Sequence, residues 1–170
     1  MNKIKELLGD RLNMAIDVNS NKGEWLSTLT NMFKKVYGFE PIPQNQTHLA
    51  KNYKIDNYTF KTWTLGNDNN IFGVFYDDFQ NKYEKNFDED RKQEQDFNID
   101  VKMMDHIPWL EGVDFLKIDN SGYEIETLMG GIDTIKKSMP LIYIENDNDQ
   151  IGRFLNNVGY QKVDEKMYYK

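Results

Sequence analysis

Four short apolar runs in this chain each carry an acid at or near their carboxyl end. They read MAIDV at residues 14–18, VYGFE at 36–40, VDFLKID at 113–119 and PLIYIE at 140–145. A carboxylate beside a buried segment is costly unless it is paired or hydrogen-bonded. Four of them in equivalent places, Asp17, Glu40, Asp119 and Glu145, therefore constrain the fold strongly. Between most of the runs lie segments with helical spacing. Trp25, Leu29, Met32 and Phe33 form one stripe across residues 23–35, and Ile125, Leu128, Met129, Ile132 and Ile135 form another across 123–137. Ile151, Phe154, Leu155 and Val158 form a third, with Gly159 where a helix C-cap glycine belongs. Residues 44–52 make a more polar helix candidate. Strands alternating with helices predict βαβ units, hence an α/β, Rossmann-like, mostly parallel sheet flanked by helices. Ligands of such sheets bind beyond the carboxyl ends of the strands, where the four acids stand. The alternative for any one acid is that it caps the next helix or faces water.

The middle of the chain breaks this rhythm. YTFKTWTLG (58–66) alternates aromatic or β-branched residues with polar ones, and NNIFGVFYDD (69–78) follows at once, which reads as a sheet strand plus an added strand or hairpin. Residues 81–97 mix both charges densely and read as a solvated insert, either a lid or a surface excursion without a role. The tail YQKVDEKMYYK reads as one or two short closing strands, which a parallel sheet accepts as an antiparallel edge.

Bulk properties narrow the function classes. With 170 residues and 39% hydrophobic residues the chain reads as one small globular domain over residues 1–170. A net charge of −7 argues against nucleic acid as the main partner, because phosphate binding needs a basic face. There is no cysteine, so disulfides and thiolate chemistry are excluded. No apolar run approaches the roughly 20 residues of a membrane span, and residues 1–10 do not read as a signal peptide. These features predict a cytoplasmic protein, and leave a homo-oligomer open.

The segment AIDVNSNKGEW (15–25) is a strand, a polar turn and a helix start. In nucleoside-binding βαβ units an acid about 20 residues past the first loop accepts hydrogen bonds from ribose hydroxyls. Glu40 stands at that distance, and a carboxylate suits this role because both its oxygens accept.

Together AIDVNSNKGEW, VYGFEPIPQNQTHLAKN, TLGNDNN and VDFLKIDNSGYEIETLMGGIDTIKKSMPLIYIEND resemble the FkbM-like methyltransferases in order and spacing. These are class I enzymes that use S-adenosylmethionine. The family pattern is roughly D-V-G-A-N-x-G, then F-E-P-x-P-x-N, a short turn, F-L-K-I-D-x-E-G-x-E, and a strand ending in Glu. The likeness runs from about Ala15 to Tyr160. It implies a class I methyltransferase fold, S-adenosylmethionine as cofactor with a divalent cation as an option, and methyl transfer to a hydroxyl of a small-molecule or glycan acceptor. It further implies that Asp17, Asn19, Asn21 and Gly23 surround the methionine end of the cofactor, that Glu40 holds the ribose with Pro41 shaping the turn, and that Gly66 and Asn67 lie near the adenine. Asp119 would face both cofactor and acceptor. Gly122 and Glu124 complete the D-x-E-G-x-E motif, and Glu145 ends the next strand, which makes Asp119, Glu124 and Glu145 the catalytic candidates.

Two residues depart from the pattern. Asn19 replaces the first glycine of the loop, where positive φ or close backbone approach is needed, and Asn is the best-tolerated substitute there. Ser121 replaces the first glutamate of D-x-E-G-x-E and removes a charge. A ligand-binding protein that has lost turnover, and a metal-dependent enzyme using the strand-end carboxylates, are the two rival readings. His48 and His106 lack a second histidine at ligand spacing and read as structural or surface residues. Trp25, Met32 and Phe33 read as core. Trp63 and Tyr76 have a stacking role as the alternative to sheet packing. HIPW with Leu110 borders an acceptor pocket or merely closes a helix, and Asp147 and Asp149 read as helix-start acids rather than metal ligands.

Overall fold

A computed structural model describes residues 2–74 and 97–170. Tyr76 and all of the charged insert except Phe97 lie outside the described residues. In chain order the main sheet is built from β1 (Met14–Val18), β2 (Lys35–Phe39), β3 (Tyr58–Lys61), β7 (Phe115–Ile118), β8 (Leu141–Ile144), β9 (Gln161–Asp164) and β10 (Met167–Tyr169). Their spatial order is β3-β2-β1-β7-β8-β10-β9. The first five run parallel, whereas β10 is antiparallel to both β8 and β9. A smaller sheet, ordered β4-β6-β5, joins β4 (Thr64–Leu65), β5 (Asn70–Val74) and β6 (Phe97–Lys102). The expected strand at residues 58–66 is thus two strands, split at Thr62–Trp63 and shared between the sheets.

The helices are α1 (Asn2–Leu8), α2 (Leu26–Met32), α3 (Pro43–Asn52), α4 (Glu124–Met129), α5 (Ile132–Ser138) and α6 (Asp149–Val158). None among the described residues is long and apolar enough to cross a membrane. Alternation along the strands sorts side chains onto two faces. Ile16, Val18, Leu116, Ile118, Ile142 and Ile144 enter one core cluster, with Leu128, Ile151 and Leu155 from the helices. Ala15, Val36, Phe115 and Leu141 enter the other, with Ile4, Leu8, Leu26 and Leu29. Each fully buried leucine or isoleucine contributes about 1.5–3 kcal/mol.

The helix predicted across 123–137 is two helices, broken at Gly130–Gly131. Two tertiary contacts cause the break. A Cβ on Gly130 would lie 1.7 Å from the Gly66 carbonyl oxygen, so the chain must be bare where the loop after β4 crosses it. The Asp105 carboxylate then accepts the Asp133 and Thr134 amides at 3.0 and 2.8 Å and caps α5. α6 follows its sequence signals: the Asn148 side chain accepts from the Gln150 and Ile151 amides, and Gly159 closes it at φ +99. At the amino end of the sheet Arg11 donates to the carbonyls of Ser138 and Met139, to Asp114 and to Tyr169. This braces α5 and β10 against the start of β7.

Gly130→Ala is expected to lower the urea midpoint by the cost of an overpacked contact, about 1–3 kcal/mol or more. Gly159→Ala, where nothing lies within 4 Å of the added Cβ, loses only the left-handed preference, roughly 1–2 kcal/mol. If Gly130→Ala leaves the midpoint unchanged, the two loops do not pack as described.

Candidate functional site

Strand register places the acids. Asp17 stands opposite Gly38 on one side and Lys117 on the other, and Lys117 stands opposite Tyr143. One row further along the same face, alternation sets Asn19, Glu40, Asp119 and Glu145 at the carboxyl ends of β1, β2, β7 and β8. The four sequence-predicted acids therefore share one sheet face, with Asp17 one row deeper.

The loop after β1 turns through left-handed backbone at Asn19 (φ +55), Asn21 (φ +50) and Gly23 (φ +91). Asn19 thus takes the conformation that favours glycine. Its side chain is buried, with Oδ1 3.5 Å from the Thr64 hydroxyl. Gly23 is required twice over, since an added Cβ would also lie 2.7 Å from the Tyr53 ring. Ser20 ties the loop down: its amide donates to the Phe39 carbonyl at 3.1 Å, and its hydroxyl to the Asp17 carbonyl.

Glu40 is fully buried beneath this loop. Its Oε2 accepts the Asn21 amide at 2.7 Å and its Oε1 accepts the Ile42 amide at 2.8 Å. Buried Pro41 lies between Glu40 and Ile42 and shapes the turn. Burial pushes the Glu40 carboxyl up to about 7, against the lowering effect of the two amides. The Asn45 side chain donates to the same carboxylate, so three of its four lone-pair positions are taken and one acceptor position remains.

Lys117 is buried at 2% side-chain exposure and is the main residue at this site that the sequence reasoning missed. Its Nζ lies 2.9 Å from Asp17 Oδ1 and donates to the Asn19 carbonyl at 2.7 Å and the Val18 carbonyl at 3.3 Å. The Asp17 contact is a buried ion pair. Burial raises the Asp17 carboxyl above its ordinary range, and the Lys117 ammonium opposes the shift. A lysine inside the run FLKI, in step with Phe115 and Asp119, was the available signal.

Asp119 is partly open, at 23% side-chain exposure. Its Oδ2 accepts the Asn21 side-chain amide at 3.0 Å and lies 3.6 Å from Lys117 Nζ. Desolvation raises its carboxyl, Lys117 lowers it, and the charge of Glu145 raises it further. Both contacts fall on Oδ2, so Oδ1 remains available to a ligand.

The other catalytic candidates are more committed. Glu124 is buried, and its oxygens accept the Gly122 amide at 2.8 Å and the Asn146 side chain at 3.1 Å. It braces the turn that carries Asp119. Glu145 is paired with Lys166 and accepts the Tyr143 hydroxyl at 2.8 Å. The Lys166 contact, chiefly, holds its carboxyl below the ordinary range. An open groove of about 620 Å³ begins at Glu145 and runs past Asn146, Arg153, Lys166 and Tyr168.

Gly66 and Asn67 follow β4 at the edge of the loop. Gly66 is buried against Val101 and Gly130, and Asn67 is exposed. Beneath them Asn120 donates to the Leu65 carbonyl and to Thr127, which itself donates to Leu65 at 2.8 Å. Ser121 is half-buried, and nothing in the structure explains its replacement of a glutamate. Among the described residues no group of three His, Asp or Glu side chains is placed to hold a metal ion.

The remaining candidates are structural. Trp25 stacks on Phe115 and packs at a tilt against Tyr143, and Trp63 packs against Phe39 beneath the Lys102 ammonium. His48 packs beside Tyr53, and His106 bonds to Asn69. HIPW forms two 3-10 turns whose Leu110 is core while Trp109 is exposed. The cap of α6 is Asn148 rather than Asp147, because Asp147 is bonded to Tyr168 and Lys162; Asp149 lies in the first turn.

A parallel sheet closed by an antiparallel strand, with a left-handed loop over a buried glutamate, defines a class I methyltransferase-type Rossmann fold. A family model described as the methyltransferase FkbM domain matches residues 17–162, and the chain belongs to that family. No curated protein matches it in sequence. Among solved structures it is similar to the FkbM methyltransferase of Methylobacillus flagellatus KT, at 19% identity and a TM-score of 0.61, covering 94% of this chain and 44% of that one. The chain thus spans under half the length of that relative. It is also similar to precorrin-6y C5,15-methyltransferase of Geobacter metallireducens (14% identity, TM-score 0.53, 94% of this chain and 70% of that one). A third likeness is to a Streptococcus mutans protein in complex with S-adenosylhomocysteine (13%, 0.53, 98% and 92%).

Asn19→Ala is expected to be less stable than Asn19→Gly by about 1–2 kcal/mol, because alanine meets the full left-handed penalty and glycine none. Equal urea midpoints for the two variants would contradict the positive φ.

Proposed function

We propose that the chain binds S-adenosylmethionine and transfers its methyl group to a hydroxyl of a small-molecule or glycan acceptor. The observation that carries this reading is the clasp between the loop after β1 and Glu40. Two backbone amides and the Asn45 side chain orient a buried carboxylate, and its remaining acceptor position suits a ribose hydroxyl. The left-handed turns at Asn19, Asn21 and Gly23 shape the loop that would surround the methionine end, above the buried Asp17–Lys117 pair. Gly66 and Asn67 line the adenine side. The Streptococcus mutans structure, which holds the demethylated cofactor on a similar fold, supports the same assignment.

When bound, the cofactor supplies an electrophilic methyl on a sulfonium. The residues of this chain must align the acceptor oxygen with it, exclude water and receive a proton. Asp119 is suited to receive the proton, being half-buried, raised in proton affinity and free on Oδ1. Glu145 stays charged beside it and is placed to orient the acceptor through hydrogen bonds. The groove that begins at Glu145 is lined by amide, carboxylate and cationic side chains around the Tyr168 ring, which favours a hydroxyl-rich acceptor.

Calorimetry with S-adenosylhomocysteine tests the reading. No binding at millimolar ligand would overturn it, and binding without turnover over an acceptor panel would point to a ligand-binding protein instead. Glu40→Ala should weaken binding by about 1.5–3 kcal/mol for each charge-assisted hydrogen bond lost. The pH dependence has a definite sign. The ribose hydroxyls need the ionised carboxylate, and Glu40 titrates at about 7 in the free protein. Affinity should therefore fall as pH drops below about 7, with proton release on binding. The same shift opposes stability at high pH: a carboxyl raised by folding favours the folded state below its ordinary range, and that contribution is lost as pH rises towards 7.

A further inference from the structure

Lys117 is a buried ammonium whose surroundings are all acceptors. Its three N–H groups meet three close oxygens: Asn19 O at 2.7 Å, Asp17 Oδ1 at 2.9 Å and Val18 O at 3.3 Å. Asp119 Oδ2, at 3.6 Å, lies beyond hydrogen-bond reach but within range of the charge. Lys117 is thus joined to the loop after β1 at two successive carbonyls, one of them belonging to left-handed Asn19. From there the loop runs to Asn21, whose amide bonds Glu40 and whose side chain bonds Asp119. Lys117 thereby holds the start of the loop whose next residues reach Glu40 and Asp119.

We propose that Lys117 is the positioning residue of the site: it fixes the left-handed loop through the Val18 and Asn19 carbonyls, and its charge keeps Asp119 an ionised proton acceptor. The second half rests on the methyltransferase reading above, in which Asp119 receives the acceptor proton. A purely structural role would be narrower, namely to neutralise Asp17 inside the sheet. The two roles differ in what they predict for Asp119. The charged groups that face it are Lys117 on β7, Asp17 on β1 and Glu145 after β8, with Lys166 and Tyr143 bonded to Glu145, and with Glu40 behind Asn21. Lys117 is the cation closest to Asp119 among the described residues, and the influence of Asp17 on it is smaller and of opposite sign.

The test uses carboxyl-carbon NMR titration of ligand-free protein, with S-adenosylhomocysteine calorimetry beside it. Asp17→Asn alone removes a neighbouring negative charge and should lower the Asp119 midpoint. The double variant Asp17→Asn with Lys117→Met removes the buried pair together, which folded proteins tolerate far better than loss of one partner. It should raise the Asp119 midpoint above wild type by about one pH unit or more, the size of effect expected for an opposite charge at this range. It should also weaken S-adenosylhomocysteine binding about tenfold relative to Asp17→Asn, as the loop loses its two carbonyl bonds. An Asp119 midpoint in the double variant equal to that of Asp17→Asn would overturn the proposal and leave Lys117 as a counter-ion only. If wild type binds no S-adenosylhomocysteine, the methyltransferase reading fails, while the titration still decides what Lys117 does to Asp119.

Discussion

A carboxylate with no exposed surface sits in the middle of a parallel sheet, and the site is arranged around keeping it there. Asp17 is inaccessible to solvent, and an unpaired ion in such a place costs several kcal/mol even after relaxation. Only the strand beside it offers compensation, because Lys117 is its direct partner in register. The strand on the other side presents Gly38, where an added Cβ would lie 2.5 Å from the Ser20 hydroxyl oxygen. β1 therefore fits between a strand with a lysine and a strand with a gap. A slip of one residue between β1 and β7 would turn the Lys117 ammonium towards the apolar face that holds Leu116 and Ile118. The ion pair is thus a register lock as well as a charge balance.

Once that register holds, three carboxylates reach the exit row in different surroundings, and the differences divide their roles. Glu40 meets two backbone amides, the Asn45 side chain and no cation, and its proton affinity rises with burial. Asp119 feels one ammonium and one like charge, and is raised while still partly open. Glu145 has its own lysine and stays ionised. Environments that push the proton affinities of neighbouring acids apart are what separates a binding group from a proton acceptor and from a fixed charge.

The strands and the acids were legible because their signals are local. MAIDV, FLKI and LIYI are short apolar stretches, with Asp17 inside the first and Asp119 and Glu145 directly after the other two. The break at Gly130 was not legible, since its causes are a carbonyl from the loop after β4 and the Asp105 carboxylate, both distant in sequence. Apolar spacing alone runs through 123–137 without interruption. The division of 58–66 between two sheets was hidden for the same reason, because β4 finds its partner only in β6. Lys117 was visible as a residue but not as a role: strand periodicity gives it a face, and only pairing with β1 shows that Asp17 shares that face.

Asn19 shows how a departure from a family pattern is absorbed. The position needs left-handed backbone, which asparagine adopts more readily than any other residue with a polar side chain of its size. It also brings an amide into a buried space, where an unpaired polar group would cost about 1–3 kcal/mol. Thr64, Asn120 and Thr127 form a connected polar set at that place and end on the Leu65 carbonyl. The amide thus enters surroundings that are already polar, and the backbone carbonyl of Asn19 remains on Lys117. The substitution leaves the shape of the loop intact and directs its new side chain towards Thr64, away from the Asn21–Glu40 clasp.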